Sequence, residues 1–168
     1  DKATLIGTSN GGQVSLDYAL TYPEQVEALV LASSSLGGYE MTGEPPALMI
    51  EISEAMQAGD MEKVADLGLQ MHLAGLDRKV DDLPEATRQK TRAMMMQALR
   101  RIGSGLGEAK EIEPPAAQRL SEVNVPTLVI IDEHDHPAIQ EMNQVMADGI
   151  PGADAVRLNA GHLPSIDV

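Results

Sequence analysis

The stretch Gly7-Thr8-Ser9-Asn10-Gly11-Gly12 constrains this chain more than any other. Before it, Ala3 to Ile6 is a short, apolar, partly β-branched run of the kind that forms a buried strand. After it, Val14, Leu16, Tyr18, Ala19 and Leu20 recur at roughly helical spacing. The small residues therefore have to turn the chain sharply from strand to helix. Ser9 is expected there in a strained backbone conformation, and side chains two residues to either side would collide as the chain doubles back. That gives Gly7 and Gly11 a steric job. The serine hydroxyl would stand above the sheet, faced by the N-terminus of the following helix, an end that favours developing negative charge. The plainer alternative is a glycine-rich turn whose serine only caps the helix.

Pro23 ends that helix near Leu20 to Tyr22. Ala28-Leu-Val-Leu-Ala32 is a second apolar run, closed by Ser33-Ser-Ser-Leu-Gly-Gly38. Strand, helix and strand make a right-handed parallel βαβ unit, so the fold class expected is α/β.

From Tyr39 to about Val123 the pattern turns helical, with no obvious strand. A helix from Pro45 to Gln57 starts with prolines suited to a first turn and ends at Gly59. Asp60 is a good N-cap for Met61 to Leu73, where Val64, Leu67 and Met71 share a face and Gly75 closes the segment. Pro84 to Ile102 forms a third helix, with Thr87, Met94, Met95, Ala98, Leu99 and Ile102 near one side. Gly103-Ser-Gly-Leu-Gly107 breaks it. Because these glycines follow a helix and lack a Lys-Ser/Thr pair, they read as a hinge or linker, not as a phosphate loop. Pro114 to Glu122 is a short fourth helix. Met94-Met95-Met96 points in different directions from its helix, so at most two of the three face one groove, and ordinary packing is preferred over lining an apolar substrate site.

The sheet resumes at Val125-Pro-Thr-Leu-Val-Ile-Ile131, continuous enough for a fully buried parallel strand. It ends in Asp132-Glu-His-Asp-His-Pro137, at the carboxyl end of a strand, where ligands and catalytic groups gather in open α/β sheets. A His-x-His pair among carboxylates would suit zinc, but no distant partners complete such a site, and no metal is expected. The alternative is that one aspartate orients a histidine supplied from elsewhere. A helix from Pro137 to Ala147 follows, with Ile139, Met142, Val145 and Met146 inward, then a short strand Ala155 to Leu158 and the loop Asn159-Ala-Gly-His-Leu-Pro164.

Gly7-x-Ser9-x-Gly11 between a strand and a helix is the nucleophile turn of the α/β-hydrolases, which the chain resembles over essentially its whole length. Pro126 to Asp135 is similar to the family's strand ending in Gly-Glu-x-Asp, whose final aspartate is the acid of the triad; the match is Asp135, with Asp132 in place of the usual glycine. Gly-His-Leu-Pro resembles the loop that delivers the catalytic histidine, here His162. The order Ser9, Asp135, His162 is that of this family. The resemblance implies a partial α/β-hydrolase fold: a mostly parallel sheet of about four strands in a core of residues 1–38 and 123–168, with residues 39–122 inserted as a helical cap. It implies acyl transfer on a small ester or lactone, as in esterase and enol-lactonase-like members, with no cofactor. The Asn10 N–H would be one oxyanion donor. The second donor and the strands flanking the nucleophile strand would lie before residue 1. Two readings stay open, an enzyme that needs that N-terminal half and a non-catalytic module that associates through the bare apolar edge of Ala3 to Ile6, as a homo-oligomer or with a complementing chain.

Composition narrows the remaining choices. At 168 residues and 43% hydrophobic content, one core is the simplest arrangement. A net charge of −14 with 12 Lys+Arg argues against nucleic acid. No apolar run reaches a membrane span, and no signal-peptide pattern is visible. The absence of cysteine removes disulfides and thiolate metal sites and leans the expectation toward the cytoplasm. With three Tyr, no Phe, no Trp and ten Met, the core must be aliphatic and partly methionine-packed.

Overall fold

The computed structural model describes residues 1–41, 45–101 and 110–167. Four strands, β1 (Ala3–Thr8), β2 (Val26–Ala32), β3 (Thr127–Asp132) and β4 (Asp154–Leu158), form one parallel sheet in the order β1-β2-β3-β4. Helix α1 (Asn10–Thr21) joins the first two strands and α5 (Pro137–Gly149) the last two; a single turn, α6 (Pro164–Asp167), follows the histidine loop. Between β2 and β3 lie α2 (Ala47–Gln57), α3 (Met61–Gly68) and α4 (Glu85–Leu99), which pack on one another in sequence.

Some local expectations hold and others are revised. Pro46 stands as the N-cap of α2, so both prolines precede its first turn. Asp60 caps α3 through its side chain, which accepts from the Lys63 N–H at 3.0 Å. The expected single helix to Leu73 is α-helical only to Gly68; Leu69–Ala74 widens into a π-turn that Gly75, at φ 85°, terminates. Pro114 to Glu122 is not an α-helix but two 3-10 turns, Ala116–Gln118 and Leu120–Glu122, separated where Arg119 adopts φ −125°. The third helix's end at Ile102 and the break at Gly103-x-Gly105-x-Gly107 fall outside the described residues.

The core lies on one side of the sheet. Leu29, Leu31, Val129 and Ile131 alternate onto that face and meet Leu16 and Leu20 of α1 and Met142 and Met146 of α5. The opposite face carries Ile6, Val30 and Leu128 in register, with Ile130 and Val156 beside them. These are half-buried or exposed, Ile6 as much as 74%. The expectation that the aliphatic run of β3 is buried on both faces is therefore corrected: α1 and α5 cover one face, and alternate side chains remain open on the other. β1 is an edge strand, and Val14 of α1 is 67% exposed.

Candidate active site

Ser9 sits between β1 and α1 with φ 56° and ψ −126°, a positive φ that only a tightly built turn imposes on a non-glycine residue. Its carbonyl accepts from the backbone N–H groups of Gly12, Gln13 and Ser35 at 2.9, 3.2 and 3.1 Å, while its own N–H donates to Ala32. The side chain makes no capping hydrogen bond, contrary to the plainer alternative. A Cβ at Gly7 would overlap the carbonyl of Gly11 and the nitrogen of Gly12, as the doubling back requires. A Cβ at Gly11 would meet nothing, whereas one at Gly12 would overlap the Ser34 side chain. The steric job expected of Gly11 thus belongs to Gly12, because the turn presses its third residue after Ser9, not its second, onto the strand β2 exit. As the first residue of α1, Asn10 has a backbone N–H without an intrahelical acceptor.

The polar cluster after β3 distributes itself. His162 donates from Nδ1 to Asp135 Oδ2 at 2.7 Å, with both side chains buried, leaving Nε2 of the imidazole available. Asp135 Oδ1 accepts from the His136 N–H at 2.7 Å. Asp132, the other candidate, turns away and accepts from the Ser33 hydroxyl at 2.6 Å, with its Oδ1 unpartnered. Burial first, then the nearby Asp135 and Asp167, pushes its carboxyl up to about 6 against the pull of Ser33 and His162. His134 is held by Asp77 and Asn159, and His136 caps α5 by accepting from Ala138. No group of three or more His, Cys, Asp or Glu spaced to hold a metal occurs among the described residues.

Ser9, Asp135 and His162 open onto one cavity of about 170 Å³, walled by Met41, Met49, Leu76 and Ile139. Ser9 and His162 also border a second, of about 330 Å³, with Met94 and Met95. Two of the three adjacent methionines thus line the site, beyond the ordinary packing expected. Sequence reasoning missed His72, which borders both cavities. Its ring lies 5.3 Å from that of His162, and burial, with His162 adding to it, pushes its imidazole down to about 4. A lone histidine in an apolar helical run shortly before a glycine was the available signal.

The π-turn bearing His72 is fixed to both site loops. Gly75 lies so close to the His134 carbonyl that a Cβ there would overlap it, and Gly161 lies likewise against the Leu73 carbonyl. Arg78 donates to the carbonyls of Ala74 and Leu73 at 2.8 and 2.9 Å and pairs with Asp167, which also accepts from the Gly161 N–H at 2.7 Å.

A family model of the alpha/beta hydrolase fold matches residues 1–167. The 2-hydroxy-6-oxononadienedioate/2-hydroxy-6-oxononatrienedioate hydrolase of Burkholderia vietnamiensis (strain G4 / LMG 22486) is 26% identical over 153 residues, 91% of this chain and 53% of that protein. Lipase 3 of Moraxella sp. (strain TA144) is 24% identical over 167 residues, 96% of this chain and 50% of that protein. Among solved structures, Est816, described as an N-acyl homoserine lactone degrading enzyme, superposes with a TM-score of 0.68 at 25% identity, covering 99% of this chain and 63% of that one. The chain spans about half the length of the curated relatives it matches. With a strained serine turn, a parallel sheet and a family match across its length, this chain belongs to the α/β-hydrolase fold family.

Proposed function

We propose that the chain carries the catalytic centre of a serine hydrolase acting on a carboxylic ester or lactone. His162 Nε2 removes the Ser9 proton as Oγ attacks the carbonyl carbon, and returns it to the departing alkoxide. Asp135 holds the imidazole with its proton on Nδ1 and stabilises the imidazolium. The Asn10 N–H donates to the oxyanion, a contact worth about 3 kcal/mol in the transition state. Water then cleaves the acyl-enzyme by the same proton path, and the helices between β2 and β3 act as the cap over the pocket. The observation that carries this reading is the buried His162–Asp135 hydrogen bond at 2.7 Å on the wall of the cavity that Ser9 enters. Names of relatives with lipase and lactone-degrading activity agree with it.

The test is electrophilic trapping. A fluorophosphonate should label Ser9 of the wild type, read by mass spectrometry, and leave Ser9→Ala unlabelled. Asp135→Asn should slow turnover of p-nitrophenyl acetate by about 10³- to 10⁴-fold. Equal labelling of wild type and Ser9→Ala would remove the proposal. The open side of β1 favours a second reading, in which association through this edge is the chain's role and turnover needs a complementing N-terminal half. Absence of labelling that is restored by adding such a half would decide for complementation.

A further inference from the structure

A third cavity, of about 240 Å³, lies among the helices between β2 and β3. Ile52 and Met56 of α2, Val64 and Ala65 of α3 and Leu99 of α4 give it an almost wholly apolar wall. His72, Met95 and Ala98 line it too, and the same three residues line the cavity that holds Ser9 and His162. One partition therefore separates the reaction centre from this chamber, which is itself partly open to solvent beside Met56.

The partition is built to yield. Met95 is its bulkiest member, an unbranched side chain with several rotatable bonds. It rests over Gly68, where an added Cβ would come within 3.2 Å of the Met95 sulfur, so a larger residue would press on it. His72 is the one ionisable group at the neck. Its ring makes no hydrogen bond among the described residues and, held down to about 4, is neutral at ordinary pH, so an apolar group passing it meets no charge. Resting on the hydrolase reading, we propose that the chamber receives an unbranched aliphatic tail of the substrate, threaded past Met95 and His72 while the scissile carbonyl stays at Ser9. At about 30 Å³ for each water-sized group, the volume suits a tail on the order of eight carbons.

Octanol serves as a neutral probe of the chamber, and ¹³C-methyl methionine spectra of the full chain as the readout. Saturable shifts of the Met56 and Met95 methyls, with the Met146 methyl in the core unmoved, are expected, and Met56→Trp should abolish the Met95 shift. In kinetics, the ratio of kcat/KM for p-nitrophenyl octanoate over acetate, or for octyl over ethyl acetate, should fall at least about tenfold in Met56→Trp, since each buried methylene is worth about fourfold. Unmoved Met56 and Met95 methyls in the wild type, or chain-length ratios equal in wild type and Met56→Trp, would overturn the proposal. The two readings separate cleanly. Ser9 labelling without methyl shifts sinks the chamber and keeps the hydrolase, whereas methyl shifts with no labelling, even after an N-terminal half is added, keep a tail-binding chamber and sink the hydrolase.

Discussion

Asp132→Asn tests the electrostatics of the site from a residue that does not touch the substrate pocket. Asp132 is 1% exposed, its Oδ2 accepts from Ser33 and its Oδ1 has no partner. Burial raises its carboxyl from the ordinary 3.8 to about 6. For an acid whose pKa is raised by folding, the folded state holds the proton more tightly, so the charged form costs stability. That cost is absent below the unfolded value near 3.8, grows with pH, and levels off above about 6. It amounts to about 3 kcal/mol in all. Asparagine is close in shape and can still accept from Ser33, but it never ionises. Any cost of its unpaired amide is the same at every pH. Urea unfolding followed by far-UV circular dichroism, at steps from pH 4 to pH 7.5, measures the difference between wild type and variant directly. The variant should gain most of the ~3 kcal/mol relative to wild type over that range. A difference that stays flat with pH would refute the burial argument, and one that falls as pH rises would mean that the fold stabilises the carboxylate.

Two further outcomes follow from the packing. Gly7→Ala should cost about 3 kcal/mol or more, because its Cβ overlaps backbone that cannot retreat, whereas Gly11→Ala, in open space on α1, should be neutral or slightly stabilising; equal losses in thermal melts would discredit the assignment of the steric job to Gly7 and Gly12. Light scattering at micromolar concentration should show dimers or larger species that Ile6→Lys reduces, given the open edge of β1 and the apolar row of Ile6, Val30 and Leu128; a strictly monomeric wild type would count against association.

The parallel sheet and the serine turn were legible because both depend on short stretches. Ala3 to Ile6 can hardly be other than a strand, and Gly7 can hardly be exchanged. The pairing of Asp135 with His162 was readable only through resemblance, since the two lie 27 residues apart and nothing local says which of two aspartates faces the loop. Other features were hidden because they are properties of the assembled surface. The open face beside β3 depends on which helices arrive, not on Leu128 or Ile130 themselves, whose run looks buried on both sides. His72 escaped notice because its place depends on a π-turn, which a 3.6-residue period treats as more helix.

The clamp formed by Gly75, Gly161, Arg78 and Asp167 restricts how this architecture can breathe and diversify. Lifting Leu69–Ala74 would drag the loops of Asp135 and His162 with it, so a movement among the helices between β2 and β3 that spares those loops falls to α2 or α4. A chimera that transplants foreign helices between β2 and β3 inherits the same obligation. Unless the graft brings its own counterparts of Gly75 and Arg78, the loops of Asp135 and His162 lose their common anchorage.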